Sequence, residues 1–262
     1  MSYSYQSASE VMTALGLTVP RIAGALLMLP LLTAETVPAM VRNSFMVSLA
    51  LVAIPITMAG MPVVSMNALQ WVPVVLKELF IGISLGLCFG AVFWAIGAAG
   101  NVIDTQVGLG MAAVFDPIQG HQTSIHGDFL SRMAMWLFMA SGAFLVFLDL
   151  LMSSYSLWPV AQWWPNLRLQ GIELFVSHFS YLMTAVLVLA APVMVLLLII
   201  DLSFGLVNRY APQLNVFALT LPIKAWIATG MIMLLIGIYV EIILKRIGAN
   251  RGLLEMMQKA FS

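Results

Sequence analysis

Residues 77–108 read KELFIGISLGLCFGAVFWAIGAAGNVIDTQVG, and from 79 to 103 they carry no Asp, Glu, Lys or Arg. A hydrocarbon core about 30 Å thick takes roughly 20 apolar residues of helix, so this stretch is long enough to cross a bilayer. At a helical period of about 100° per residue, Gly82, Gly86, Gly90, Gly97, Gly100, Asp104 and Gly108 fall within an arc of about 80°. One face is almost bare backbone. Small residues at this spacing let helices approach closely in lipid, and the stripe sets Asp104 on the packed face instead of against acyl chains.

Comparable runs extend in both directions. They are 22–34 (continued upstream by Val11 to Pro20, with Arg21 interrupting), 43–76, 133–148, 174–200 and 225–240. The expectation is an all-α, polytopic membrane protein of about six apolar segments, one domain over 1–262, with no soluble domain and no internal repeat. Composition agrees: 62% of the 262 residues are apolar and 8% are charged, where soluble domains carry roughly 25% charge. Eleven basic residues balance eleven acidic ones, so no basic stripe exists for nucleic acid. Cys88 is the one cysteine, which leaves no intrachain disulfide or thiolate metal cluster. The first ten residues lack Lys and Arg, so a cleaved signal peptide is not expected.

Prolines mark the irregular places. Pro55, Pro62 and Pro73 lie in 43–76 and imply a span plus a broken or re-entrant piece; Pro192 implies a kink in 174–208. Trp158, Trp163 and Trp164 read as an interfacial belt. Lys245, Arg246, Arg251 and Lys259 crowd the end of the chain and favour a cytoplasmic tail, whose residues 251–262 form a short amphipathic stretch suited to a membrane surface or a partner.

Two clusters interrupt the apolar pattern. The first, DTQVGLGMAAVFDPIQG at 104–120, is too apolar for an ordinary solvated loop. Non-helical apolar backbone at a membrane is buried in protein or lines a cavity, so a constriction element is one reading and a packed re-entrant turn the simpler one. His121, His126 and Asp128 follow without helical ligand spacing, and no metal site is expected; Asp128 and Arg132 read as a surface pair. The second cluster, GLVNRYAPQLNVFALTLPIK at 205–224, is fenced by Pro212 and Pro222 as an extended or turning piece, with Gln213 and Asn215 available to satisfy free backbone groups. Lys224, near the start of the last helix, calls for an acidic partner or another specific contact. Asp201 lies about 80° round a helix from Arg209, so the two could pair only through a partner or water. Snorkelling for both cations and helix-end solvation for Asp201 are the simpler alternatives. Lys77, Glu78 and Asp149 stand at apolar borders and are expected to face protein or water. Phosphate-binding GxxxxGK[ST], zinc-binding HExxH and paired cysteines are all absent, so the chain does not read as an enzyme.

Taken together, these clusters resemble the export-gate family called FliR in flagella and SctT, YscT, HrcT or SpaR in type III secretion injectisomes. Arg209, Pro212, Gln213, Asn215, Phe217, Pro222 and Lys224 match its Arg-x-x-Pro-Gln-Leu-Asn-x-Phe and Pro-x-Lys signature; Glu78 and Gly82 match Glu-x-x-x-Gly; Gly100, Asp104, Gln106, Gly108, Asp116 and Pro117 match Gly-x-x-Ile-Asp-x-Gln-x-Gly and a later Asp-Pro. The details lean towards the injectisome branch. The resemblance implies kinked helical hairpins assembled in a hetero-oligomeric export gate of the bacterial inner membrane, within a basal body. It implies SctR-like, SctS-like and SctU-like partners, an export apparatus ring and exported polypeptides, with no cofactor. It also implies a plug formed by Gly108, Leu109, Gly110, Met111, Val114 and Phe115, and energy from a separate ATPase and the proton-motive force. A secondary transporter using Asp104, Asp201 and Arg209 is the alternative from another class, weakened by the lack of repeats; an intramembrane hydrolase is a third.

Overall fold

The computed structural model describes residues 8–33, 37–59, 68–109, 124–160, 169–213 and 215–249. Among them the regular structure is helical: α1 (Ala8–Leu27), α2 (Ala39–Ala59), α3 (Ala68–Val107), α4 (Ile125–Ala140), α5 (Ala143–Leu157), α6 (Leu169–Tyr210) and α7 (Val216–Ala249). Helices α2, α3, α6 and α7 are long and apolar enough to cross a membrane. Pro62, His121, Trp163, Trp164, the loop residues Gly110, Met111, Val114, Phe115, Asp116 and Pro117, and the tail 251–262 lie outside the described residues.

Several boundaries differ from the sequence expectation. Pro20, Pro55, Pro73, Pro192 and Pro222 all lie inside helices, since each proline removes only one of the many backbone bonds of a long apolar helix. The run 43–76 belongs to two helices, with α2 ending at Ala59 and α3 beginning at Ala68. The run 133–148 is broken at Ser141 and Gly142; Gly142 has φ 73°, a left-handed conformation that glycine adopts without strain. The supposed turning piece 205–224 is mostly helix, and only residues 211–215 separate α6 from α7. There Pro212 cannot extend α6, while Asn215 Oδ1 accepts from the Ala218 amide at 3.3 Å and caps α7.

Contacts divide the chain into two units. The first takes residues 1–90, 142–178 and 248–262. A side chain added at Gly16 would meet Trp71, at Gly24 the Leu79 carbonyl, at Gly82 the Arg21 carbonyl and at Gly86 the Ala25 carbonyl. Both sets of numbers rise together, so α1 and α3 run parallel with backbones nearly touching. Arg21 is fully buried there. Its Nε donates to Glu78 at 2.6 Å, its Nη1 to Ser154 at 3.1 Å and its Nη2 to the Trp158 carbonyl at 2.8 Å, and the guanidinium lies 4.2 Å from the centre of the Tyr155 ring. Glu78 also pairs with Lys77 at 2.9 Å, so both border charges face protein. Trp158 is buried in this unit, not a surface belt residue, because its carbonyl completes the shell around Arg21.

The second unit takes residues 91–141 and 179–247. Here α3 and α4 pack antiparallel: Phe93 meets Phe138 edge-on at 5.2 Å, Gly97 faces Ser131 and Gly100 faces Gly127. Helices α6 and α7 form an antiparallel hairpin cross-linked at three levels. Asp201 pairs with Lys224 at 2.9 Å, the Tyr239 hydroxyl donates to the Leu189 carbonyl at 2.9 Å, and Arg246 stacks on Tyr181 at 3.9 Å. Many of this hairpin's large apolar side chains are exposed, Leu187, Leu198, Trp226 and Leu234 among them.

Candidate functional site at the end of helix α3

Helix α3 ends where its stripe reaches Gly108. That residue has φ 96°, and the amides of Gly108 and Leu109 both donate to the Asp104 carbonyl at 3.1 Å. The pattern closes a helix C-terminus, and the positive φ requires glycine. Sequence alone placed Asp104 on a packed face, and the structure makes it a hub. Its side chain is 7% exposed. Oδ2 accepts from the Ser124 hydroxyl at 2.5 Å and the His126 amide at 3.0 Å, while Oδ1 meets His126 Nδ1.

Each bond has a local cause. Ser124 is the N-cap of α4, accepting from the Gly127 amide at 3.0 Å, so its hydroxyl proton is left to point at Asp104. The first amides of α4 lack intrahelical partners, and the carboxylate takes one of them. His126 Nε2 in turn meets the Thr229 hydroxyl of α7 at 2.9 Å. Glycine at 100 and 127 permits this closeness, since a side chain at either position would strike the facing helix.

A second polar link lies on the same end of α3. Gln106 Nε2 donates to Asp201 at 3.1 Å, and Asp201 accepts from Lys224 at 3.0 Å. Lys224 is buried, with an 8% exposed side chain against 38% for Asp201. Its acidic partner is therefore Asp201, and neither residue is the freely solvated interfacial charge of the simpler alternative. Lys224 lies well inside α7, which begins at Val216, so the unfavourable helix N-terminus invoked for it does not apply.

Of the other sequence candidates, Gly82 and Gly86 pack on α1, Gly90 is buried in α3, and Leu109 follows the α3 terminus. Arg209, Pro212, Gln213 and Phe217 are exposed at the α6–α7 turn, and Pro222 is helical. Asp128 and Arg132 are both exposed on α4. Sequence reasoning weighed His126 only as a metal ligand, beside His121 and Asp128, and passed over Thr229; the signal available was the Ser124–His126 cap sequence opening a helix. The pentad GISLG at 82–86 also has the spelling of a nucleophile elbow, but it sits within α3, away from any strand-to-helix turn. Among the described residues no group of three or more metal-ligating side chains gathers. The arrangement neutralises charge and holds helices in register.

Comparison with known proteins bears on what these helices serve. The family described as bacterial export proteins, family 1, matches residues 12–249. The chain is 33% identical to Yop proteins translocation protein T of Yersinia pestis over 219 residues, covering 83% of this chain and 84% of that protein. It is 32% identical to the surface presentation of antigens protein SpaR of Salmonella typhimurium, over 82% of this chain and 79% of SpaR. It is 31% identical to the flagellar biosynthetic protein FliR of Bacillus subtilis, over 86% of each.

Proposed function

Since the chain belongs to family 1 of the bacterial export proteins, we propose that it is a subunit of the export gate of a type III protein secretion system. It helps to form and seal the pore through which unfolded polypeptides leave. The observation that carries this reading is the extent of the match, which spans both units and both polar clusters. The names of the relatives, translocation, secretion-apparatus and flagellar-biosynthesis proteins alike, support the same role.

In this reading the gate lies in the bacterial inner membrane and includes two smaller apolar subunits of the SctR and SctS kinds, with an SctU-like protein at its base. The chain performs no covalent chemistry; a separate ATPase and the proton-motive force drive export. The segment opened by Gly108 and Leu109 and continued by Gly110, Met111, Val114 and Phe115 serves as the plug. The α3 terminus supports such a role because Asp104 ties the residues on both flanks of that segment together.

Native mass spectrometry of the complex extracted in mild detergent tests the proposal. It should show the chain together with several copies of two smaller apolar proteins. Isolation only as a monomer that catalyses solute uptake would overturn the export-gate role in favour of a transporter.

A further inference from the structure

The α6–α7 hairpin is longer than a bilayer. At about 1.5 Å per residue, 42 and 34 residues give roughly 63 Å and 51 Å, against a hydrocarbon core of about 30 Å. Yet exposed apolar side chains continue beyond the Asp201–Lys224 pair to the turn, as Leu202, Leu206, Phe217 and Leu219. Lipid cannot serve both halves. If hydrocarbon surrounds the end near the turn, it also surrounds Arg209 and the part-exposed Asp201, charges that a bilayer core disfavours. If hydrocarbon surrounds the remainder, those apolar side chains stand in water.

One face of α6 near the turn sharpens the point. Leu198, Asp201, Gly205, Asn208 and Arg209 fall within about 100° of arc. Among the described residues nothing lies within 4 Å of a Cβ built at Gly205, whereas Gly82, Gly86, Gly97 and Gly100 of α3 answer to a neighbouring helix inside the chain. A glycine inside a helix is less stable there than alanine, and no contact among the described residues calls for it here. Arg209 is exposed, and among the described residues it pairs with no carboxylate.

We infer that this face docks a helix of a different polypeptide, with backbone approach at Gly205 and a carboxylate opposite Arg209. The inference rests on the export-gate reading and adds where a partner binds and what chemistry it brings. It predicts that Gly205→Leu leaves the isolated chain folded, since the space is open, and lowers the yield of the assembled complex. Arg209→Glu should lower co-isolation of the partner at least about tenfold, and reversing the sign of the partner's carboxylate should restore it. A photo-crosslinking residue at Gly205 should attach to a peptide carrying Asp or Glu within two turns of the attachment point. Unchanged co-isolation for both variants would overturn the docking face, as would adducts with lipid alone or with peptides lacking a carboxylate. If the unaltered chain forms no complex at all, the export-gate role itself fails, a result distinct from the failure of this face.

Discussion

Arg21 shares its guanidinium among Glu78, Ser154, the Trp158 carbonyl and the Tyr155 ring, and all of this lies out of solvent. Breaking one side of a buried pair strands the other charge, at a cost of about 3–5 kcal/mol, while replacing both partners by apolar groups is often neutral. Arg21→Met should therefore lower the thermal unfolding midpoint in detergent far more than Arg21→Met combined with Glu78→Leu; equal losses would mean that the pair is uncoupled. The same logic applies to Lys224. Lys224→Met should destabilise the α6–α7 hairpin, and the exchange Asp201→Lys with Lys224→Asp should recover much of the loss, as measured by resistance to limited proteolysis. Sequence indicated that Glu78 must face protein or water and that Lys224 needed an acid or another specific contact. It did not name Arg21 as a partner, because 57 residues separate Arg21 from Glu78 and only the parallel register of α1 and α3 brings them level.

Among the helices, the glycine stripe of α3 was legible because its period is helical and its residues lack side chains. What it touches was not: the stripe serves α1 through Gly82 and Gly86 in the first unit, and α4 through Gly97 and Gly100 in the second. Gly86→Leu should drive a side chain into the Ala25 carbonyl, costing about 3 kcal/mol or more and abolishing recovery of folded chain. Gly237→Leu, where no described residue stands within 4 Å, should leave the chain's own unfolding midpoint unchanged or slightly raised. Element boundaries were less legible. The residues on both sides of the α2–α3 junction and of the α4–α5 break are apolar, so hydropathy ran straight through them. Gly142 was the one local sign of the latter; the prolines of 43–76 did signal that the run holds more than one helix, although Pro55 and Pro73 themselves lie inside helices.

For the molecule as a whole, the gate reading makes the segment at 108–115 separable from assembly. Replacing its apolar residues by Ser should raise ion conductance through reconstituted complexes at least severalfold while the complex still forms; unchanged conductance in an intact complex would remove the plug role. The pairing of Arg21 with Glu78 also constrains biogenesis. During synthesis Arg21 leaves the ribosome 57 residues ahead of its counter-ion, and at 5–20 residues per second that is a delay of roughly 3 to 11 seconds. A segment bearing a lone arginine is a poor substrate for lateral release into lipid. The nascent α1 must therefore linger at the translocon mouth, or be escorted, until α3 arrives, which makes the order of translation a part of how this protein acquires its shape.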